Sequence, residues 1–154
     1  MIIVSPISDA EYNQFRELMI EDYAQGMVSN YQLELGTMRQ QGKDLLDRAL
    51  PDGQHTDGCI FYTVLDAHTN ENMRFIYCST YRRRLRGEIN HIIVKEPFRG
   101  KGFGEKMLTH IESDMKAWGM ERFGLHVFAD NSIAIRLYQR HGYQVADMNM
   151  HKCL

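Results

Sequence analysis

Six residues between an apolar stretch and a helical pattern have the composition of a phosphate-binding loop. The loop is Arg99-Gly100-Lys101-Gly102-Phe103-Gly104, and it follows Ile92-Ile93-Val94. Glycines let the backbone approach an anion without a Cβ in the way, and the amide N–H groups at the start of a helix point at that anion with the helix dipole behind them. The spacing predicts that a ligand carrying phosphates binds here. A glycine-rich turn without a ligand is the alternative interpretation.

The spacing of this loop excludes two common nucleotide-binding motifs. A Walker A loop requires Ser or Thr after its Gly-Lys pair, but Lys101 is followed by Gly102. A dinucleotide-binding fingerprint requires glycine at its first, third and sixth places, but Glu105 stands sixth when Gly100 is counted first. The remaining pattern is Arg-x-x-Gly-x-Gly between a strand and a helix.

A second pattern lies downstream of the loop. Asn-x-x-Ala-x-x-x-Tyr on a predicted helix is followed by Gly-Tyr, and its residues are Asn131, Ala134, Tyr138, Gly142 and Tyr143. With the glycine loop before it, this segment resembles the GNAT superfamily of acetyl-CoA-dependent N-acetyltransferases. The resemblance covers roughly the last 70 residues strongly and the rest through the order of elements.

The resemblance implies an α/β fold, with a central mixed β-sheet flanked by helices, in a single domain over residues 1–154. It also implies transfer of an acetyl group from acetyl-CoA to a primary amine by direct attack in a ternary complex, with no metal. We expect a small-molecule acceptor. The alternatives are an acetyltransferase for protein N-termini or lysines, and a non-catalytic acyl-CoA sensor.

The resemblance also assigns roles in binding acetyl-CoA. The loop residues Arg99, Gly100, Lys101, Gly102, Phe103 and Gly104 would bind the pyrophosphate. Related enzymes splay the central strand by a bulge, so that a backbone N–H faces the thioester oxygen, and Ile92, Ile93 and Val94 match that stretch. Asn131 would hold the pantetheine through its side-chain amide, or cap its helix, and both can be true at once.

Tyr138 is the candidate general acid. An unperturbed phenol has a pKa of about 10, so it is protonated at neutral pH and can donate to a leaving thiolate. The family places a tyrosine at this position for that role. Because Ala134, Leu137 and His141 fall on the same helical face, Tyr138 is alternatively a core aromatic residue.

Glu88 is the candidate general base, six residues before Val94, where several GNAT enzymes carry a glutamate. A carboxylate in a partly buried cleft can take a proton from an acceptor ammonium group, directly or through water. The alternative is a strand-end carboxylate paired with Arg86 or another basic group. Proton removal would then fall to ordered water.

Composition limits the remaining possibilities. The chain has 154 residues with 44% hydrophobic and 25% charged residues, which fits one globular domain that buries roughly 70% of its unfolded surface. A net charge of −2 argues against nucleic-acid binding. Three cysteines without C-x-x-C spacing argue against disulfides and structural zinc. No apolar run is long enough to predict a membrane span or a signal peptide, so we expect a cytoplasmic protein. A homodimer is the expected oligomeric state, because it is the commonest one.

One strongly basic run departs from this balanced charge. It is Arg82-Arg83-Arg84 with Arg86, between two predicted strands. Such runs are usually a solvated hairpin tip. Contact with an acidic partner or with the 3′-phosphate of CoA is the alternative.

The order of predicted elements is β-α-α-β-β-β-α-β-α-β. A capping box, Ser8 to Glu11, begins the first helix, and Pro51 follows the second. The predicted ranges are strand 2–7, a helix from the capping box, helix 31–50, strands 59–65, 73–81 and 88–94, helix 104–119, strand 124–129, a helix capped by Asn131 or Ser132, and a last strand from Tyr143 to about Lys152.

Overall fold

The computed structural model describes residues 1–154 and contains five strands and four helices. In chain order these are β1 (Ile2–Pro6), α1 (Asp9–Tyr31), α2 (Leu35–Ala49), β2 (Cys59–Asp66), β3 (Asn72–Tyr81), β4 (Arg86–Val94), α3 (Phe103–Ala117), β5 (Arg122–Leu125) and α4 (Ser132–Arg140). Nine of the ten predicted elements are therefore present in the predicted order. Short 3₁₀ turns occupy Gly53–His55, Arg82–Arg84 and Glu96–Phe98.

The strands form one mixed sheet in the order β1-β2-β3-β4-β5. Neighbours from β1 to β4 pair antiparallel, as short connections allow, whereas β4 and β5 pair parallel through the crossover helix α3. Helices cover both faces of this sheet, which confirms the predicted mixed α/β architecture.

Each face of the sheet carries its own hydrophobic core. On one face, Met107, Leu108 and Ile111 of α3 pack against sheet residues that include Ile76 and Ile89. On the other face, helices α1 and α2 supply Phe15, Met19 and Leu46, which pack with Phe61, Phe75 and Tyr77 of the sheet. We call these the α3 face and the α1/α2 face. Burial of both faces explains why the strands are rich in apolar residues throughout.

The first helix begins at the predicted capping box and extends further than predicted. Ser8 Oγ accepts a hydrogen bond from the Glu11 amide, and Glu11 Oε2 accepts one from the Ser8 amide. The helix continues to Tyr31 and ends at Gln32, which adopts a left-handed conformation (φ 53°). The second helix therefore begins at Leu35 rather than near Tyr31.

The predicted last strand does not form, and this prediction is wrong. Residues 143–154 adopt no regular secondary structure, and β5 ends at Leu125 with its outer edge unpaired. The C-terminal segment is held instead at the end of α1, where His151 Nε2 lies 2.6 Å from the Asn30 carbonyl oxygen and its ring packs on Tyr31. These contacts draw the segment away from the sheet, and they leave Met148 and Met150 exposed. None of the helices is long and apolar enough to cross a bilayer.

Candidate active site

Strands β4 and β5 diverge part of the way along the sheet. Their parallel pairing runs from Arg86 with Arg122 to Ile89 with Leu125 and then ends, whereas β4 stays paired with β3 up to Val94. The second half of β4 therefore has a free edge on the β5 side. An extended ligand can enter this opening and hydrogen-bond to the free strand edge.

A β-bulge marks the point of divergence. Tyr77 of β3 pairs with His91, and the next residue, Cys78, pairs with Ile89, so Asn90 has no partner. Bulges bend a strand and interrupt its ladder, which accounts for the loss of β5 pairing at this point. The bulge thus lies two residues before Ile92, the start of the stretch expected to face the thioester.

The glycine loop lies at the end of this opening, between β4 and α3. Gly100 and Gly102 have φ of 73° and 74°, and a Cβ at either position would meet no atom within 4 Å. Gly102 caps α3 without any side-chain hydrogen bond to the first-turn amides. Because those amides lack partners inside the helix, they are donors for an anion. The Arg99 Nε donates to the Val94 carbonyl (3.0 Å), which ties the loop to the strand end.

Helix α4 packs against the start of α3. A Cβ added at Gly104 would lie 2.8 Å from Leu137 Cδ2, so this glycine permits the close approach of the two helices. At the start of α4, Asn131 Oδ1 accepts a hydrogen bond from the Ala134 amide (3.2 Å). The capping role of Asn131 is thus present, and its Nδ2 group makes no hydrogen bond within the protein.

Tyr138 lies half-buried against the core of the α3 face. Burial raises the pKa of its phenol to about 12, so the hydroxyl keeps its proton over the neutral range. That hydroxyl makes no hydrogen bond within the protein, and the ring packs edge-on against Tyr143 at 5.7 Å between centroids. Tyr138 also lines a cavity of about 1000 Å³ between β5, α4 and the C-terminal segment. It is therefore a packed aromatic residue whose hydroxyl has no hydrogen-bond partner within the protein.

Glu88 is partly buried on β4, before the bulge. Its Oε2 lies 3.6 Å from Arg86 Nη2, which is the ion pair anticipated as the alternative to a catalytic role. In the sheet it stands between Ser79 of β3 and Gly124 of β5. Its role as a base stays a prediction.

The structure brings together polar residues that the sequence analysis missed. His91 Nε2 lies 3.1 Å from Asp22 Oδ2 of α1, and Ser79 Oγ donates to Asn90 Oδ1 at 2.7 Å. Both pairs lie beside the bulge. They join residues 69 and 11 positions apart in the chain, so no local motif could identify them.

The arginine run forms the tip of the β3–β4 hairpin. It precedes β4, whereas the glycine loop follows β4, and nine residues of strand span roughly 30 Å. The run and the glycine loop therefore lie at opposite ends of β4. No three His, Cys, Asp or Glu side chains are grouped so that they could hold a metal ion.

Comparisons with known proteins agree with this geometry. Residues 16–143 match the model of the acetyltransferase (GNAT) family. The chain is 24% identical over 149 residues to the uncharacterized N-acetyltransferase YdgE of Bacillus subtilis, covering 96% of this chain and 95% of YdgE. It is 25% identical to YycN, an uncharacterized N-acetyltransferase of the same bacterium, covering 99% of each.

Solved structures show the same fold. The crystal structure of YycN superposes with a TM-score of 0.92 at 22% identity, over 100% of this chain and 99% of YycN. The PaiA N-acetyltransferase of Thermoplasma acidophilum, solved in complex with coenzyme A, superposes with a TM-score of 0.72 at 20% identity, over 97% of this chain and 93% of PaiA. Because the family model spans most of its length, the chain belongs to the acetyltransferase (GNAT) family.

Proposed function

We propose that this protein transfers an acetyl group from acetyl-CoA to the primary amine of a small molecule, by direct attack in a ternary complex. The observation that carries the proposal is the opening between β4 and β5, at whose end lie the glycine loop and a helix start without a side-chain cap. This arrangement provides a strand edge for an extended pantetheine and an anion site for its pyrophosphate. Family membership supports acetyl transfer as the reaction.

The donor would bind along the second half of β4. Backbone amides between Gly100 and Gly104 would bind the pyrophosphate, while Asn131 Nδ2 would donate to the pantetheine. At the far end, a backbone N–H of the Ile92–Val94 stretch would donate to the thioester oxygen. Such a donor stabilises the negative charge that develops on this oxygen as the amine attacks.

The reaction requires two proton movements. The amine nitrogen forms a bond to the acetyl carbon, the carbon–sulfur bond breaks, and the electron pair leaves with the sulfur. The amine loses one proton to a base, and the thiolate gains one from Tyr138. The Tyr138 hydroxyl makes no hydrogen bond within the protein, so it is free to hydrogen-bond to the leaving sulfur and to donate its proton as the carbon–sulfur bond breaks.

Replacement of Glu88 by Gln tests the base. If Glu88 accepts the amine proton, E88Q should leave acetyl-CoA affinity unchanged but depress kcat/KM most at low pH, where free amine is scarcest, and shift the acidic limb of the pH profile. If Glu88 only pairs with Arg86, the same change should lower Tm slightly and leave the shape of the profile alone.

His91→Gln is the matched variant for this experiment, since His91 lies on the same strand beside the bulge. We expect the acidic limb to shift in E88Q and not in H91Q. An unshifted limb in E88Q contradicts the assignment, and a shift confined to H91Q would transfer the role to the His91–Asp22 pair. Steady-state rates of thiol release between about pH 6 and pH 9 measure the pH profiles of both variants.

The packing of α2 supports a small acceptor rather than a protein. Helix α2 and its C-cap residue Leu50 form the segment that follows α1. Leu46 and Leu50 of this segment are buried with Phe61 and Tyr77 of the sheet. Arg39 of α2 also makes two hydrogen bonds to Glu21 of α1, at 2.7 and 2.9 Å. This segment thus lies closed against the sheet, and an acceptor groove closed by it would favour a small amine over a peptide.

A screen of acceptors tests the proposed reaction. Polyamines, amino acids, aminoglycosides and peptides would each be incubated with acetyl-CoA and enzyme, and thiol release would be followed against a no-acceptor control. We expect amine-dependent release with at least one small amine and none with peptides. Release with peptides alone would favour a protein acetyltransferase, whereas tight binding of acetyl-CoA without turnover would favour an acyl-CoA sensor.

A further inference from the structure

A buried arginine lies beneath the start of α3. Arg74 of β3 is only 2% exposed, and its Nη1 approaches Met107 Sδ at 2.8 Å. Its guanidinium carbon lies 5.4 Å from the centroid of the Phe103 ring, in the first turn of α3. A thioether and an aromatic face are weak partners for a full positive charge.

No carboxylate compensates this charge. None of the ion pairs in the structure involves Arg74, and its Nε has no hydrogen-bond partner. The Lys106 ammonium, which also lies over Phe103 at 5.7 Å from the ring centroid, adds a second positive charge rather than a counter-charge. Burial lowers the pKa of Arg74 to about 10, so the group still carries its proton at neutral pH. An unpaired buried charge is costly, and proteins rarely retain one without a counter-charge.

The position of Arg74 places this charge beside the proposed phosphate site. Arg74 pairs in register with Val94, the last residue of β4, and the next amide, Lys95 N, donates to the Met73 carbonyl at 3.1 Å. The glycine loop follows this strand end after the short turn Glu96–Phe98, and the Arg99 Nε bond to the Val94 carbonyl joins the two. Because the guanidinium also contacts Phe103, it lies under the start of α3, where no side chain caps the first-turn amides. Charges interact more strongly in such a buried setting than in water.

We propose that Arg74 is a further binding residue for the acyl donor, whose pyrophosphate supplies the counter-charge that the protein lacks. The interaction acts through space, from below the helix start, and adds to the hydrogen bonds of the loop amides. Loss of the Arg74 charge should therefore change donor affinity and the stability of the ligand-free protein in opposite directions. Removing the charge weakens donor binding, and it stabilises the ligand-free protein because a buried unpaired charge is gone. This inference rests on the proposed function, since it requires that CoA binds at the loop.

Replacement of Arg74 by Met tests whether Arg74 binds the acyl donor. Arg74→Lys is the control that keeps the charge, and Arg74→Gln is a second neutral variant. Calorimetric titration with CoA should show at least a tenfold rise in Kd for R74M and R74Q, about 1.4 kcal/mol, and a change within about threefold for R74K. Dephospho-CoA should show the same loss as CoA, because the pyrophosphate remains. The Tm of ligand-free R74M should exceed that of the wild-type protein.

Several outcomes would overturn the assignment. An unchanged Kd in the neutral variants, or an equal loss in R74K, would make Arg74 a packing residue. A loss seen with CoA but not with dephospho-CoA would move the counter-charge to the 3′-phosphate and contradict the pyrophosphate assignment. Wild-type protein that fails to bind CoA would instead contradict the proposed function, so the two failures are distinguishable.

Discussion

Replacing Tyr138 by Phe should lower kcat by roughly 10² to 10⁴, the range typical of removing a general acid. The phenylalanine ring keeps the packing of Tyr138 against the α3-face core and deletes only a hydroxyl that has no partner in the protein. The free energy of unfolding should therefore change by less than about 1 kcal/mol. Acetyl-CoA affinity should also be unchanged, because the lost group acts on the leaving thiolate. Steady-state kinetics, thermal unfolding and calorimetry measure the three quantities.

Tyr143→Phe is the matched control for this prediction. Tyr143 packs edge-on against Tyr138, and burial raises the pKa of its phenol as well. We expect kcat of Y143F to stay within a few-fold of the wild-type value. If Y138F loses stability but keeps its turnover, Tyr138 is a core aromatic residue and another group protonates the thiolate.

Replacing Gly102 by Glu should weaken acetyl-CoA binding at least tenfold, about 1.4 kcal/mol. A Cβ at Gly102 would meet no protein atom within 4 Å, so the added carboxylate extends into the space where the pyrophosphate is expected. It would repel the phosphates and compete for the first-turn amides of α3. Calorimetric titration with acetyl-CoA measures the loss.

The backbone strain of this substitution requires its own control, because Gly102 has φ of 74°. Gly119 has φ of 79°, also faces open space, and lies beyond the other end of α3, so Gly119→Glu imposes similar strain away from the loop. We expect a similar fall in Tm for both variants and a loss of affinity only for G102E. A folded G102E protein with wild-type affinity would place the phosphates elsewhere.

Features encoded by short stretches of sequence could be predicted. The capping box fixed the start of α1, because a serine and a glutamate three residues apart satisfy each other's backbone groups. The position of the glycine loop between a strand and a helix was also predicted, and the left-handed φ values at Gly100 and Gly102 explain why glycine stands there. Helical periodicity, β-rich runs and turn residues predicted the order of the other elements, and the glycine loop positioned the proposed site after β4.

Features that depend on distant contacts could not be predicted. A last strand was predicted from Tyr143 to about Lys152, but this segment is bound instead at the end of α1 through His151. The bulge at Asn90 depends on the register with β3, which strand propensity does not determine. Arg74 stands in an apolar strand, and only the packing of α3 over it reveals a buried charge without a partner.

Amide hydrogen exchange with and without acetyl-CoA tests the central claim most directly, namely that the donor enters between β4 and β5 with its phosphates at the glycine loop. We predict that acetyl-CoA slows exchange at Ile92–Val94 and at residues 100–104, and leaves the hairpin tip Arg82–Arg84 unchanged. Slowed exchange confined to the C-terminal segment and the cavity beside it, with no change at the loop, would contradict the proposed site.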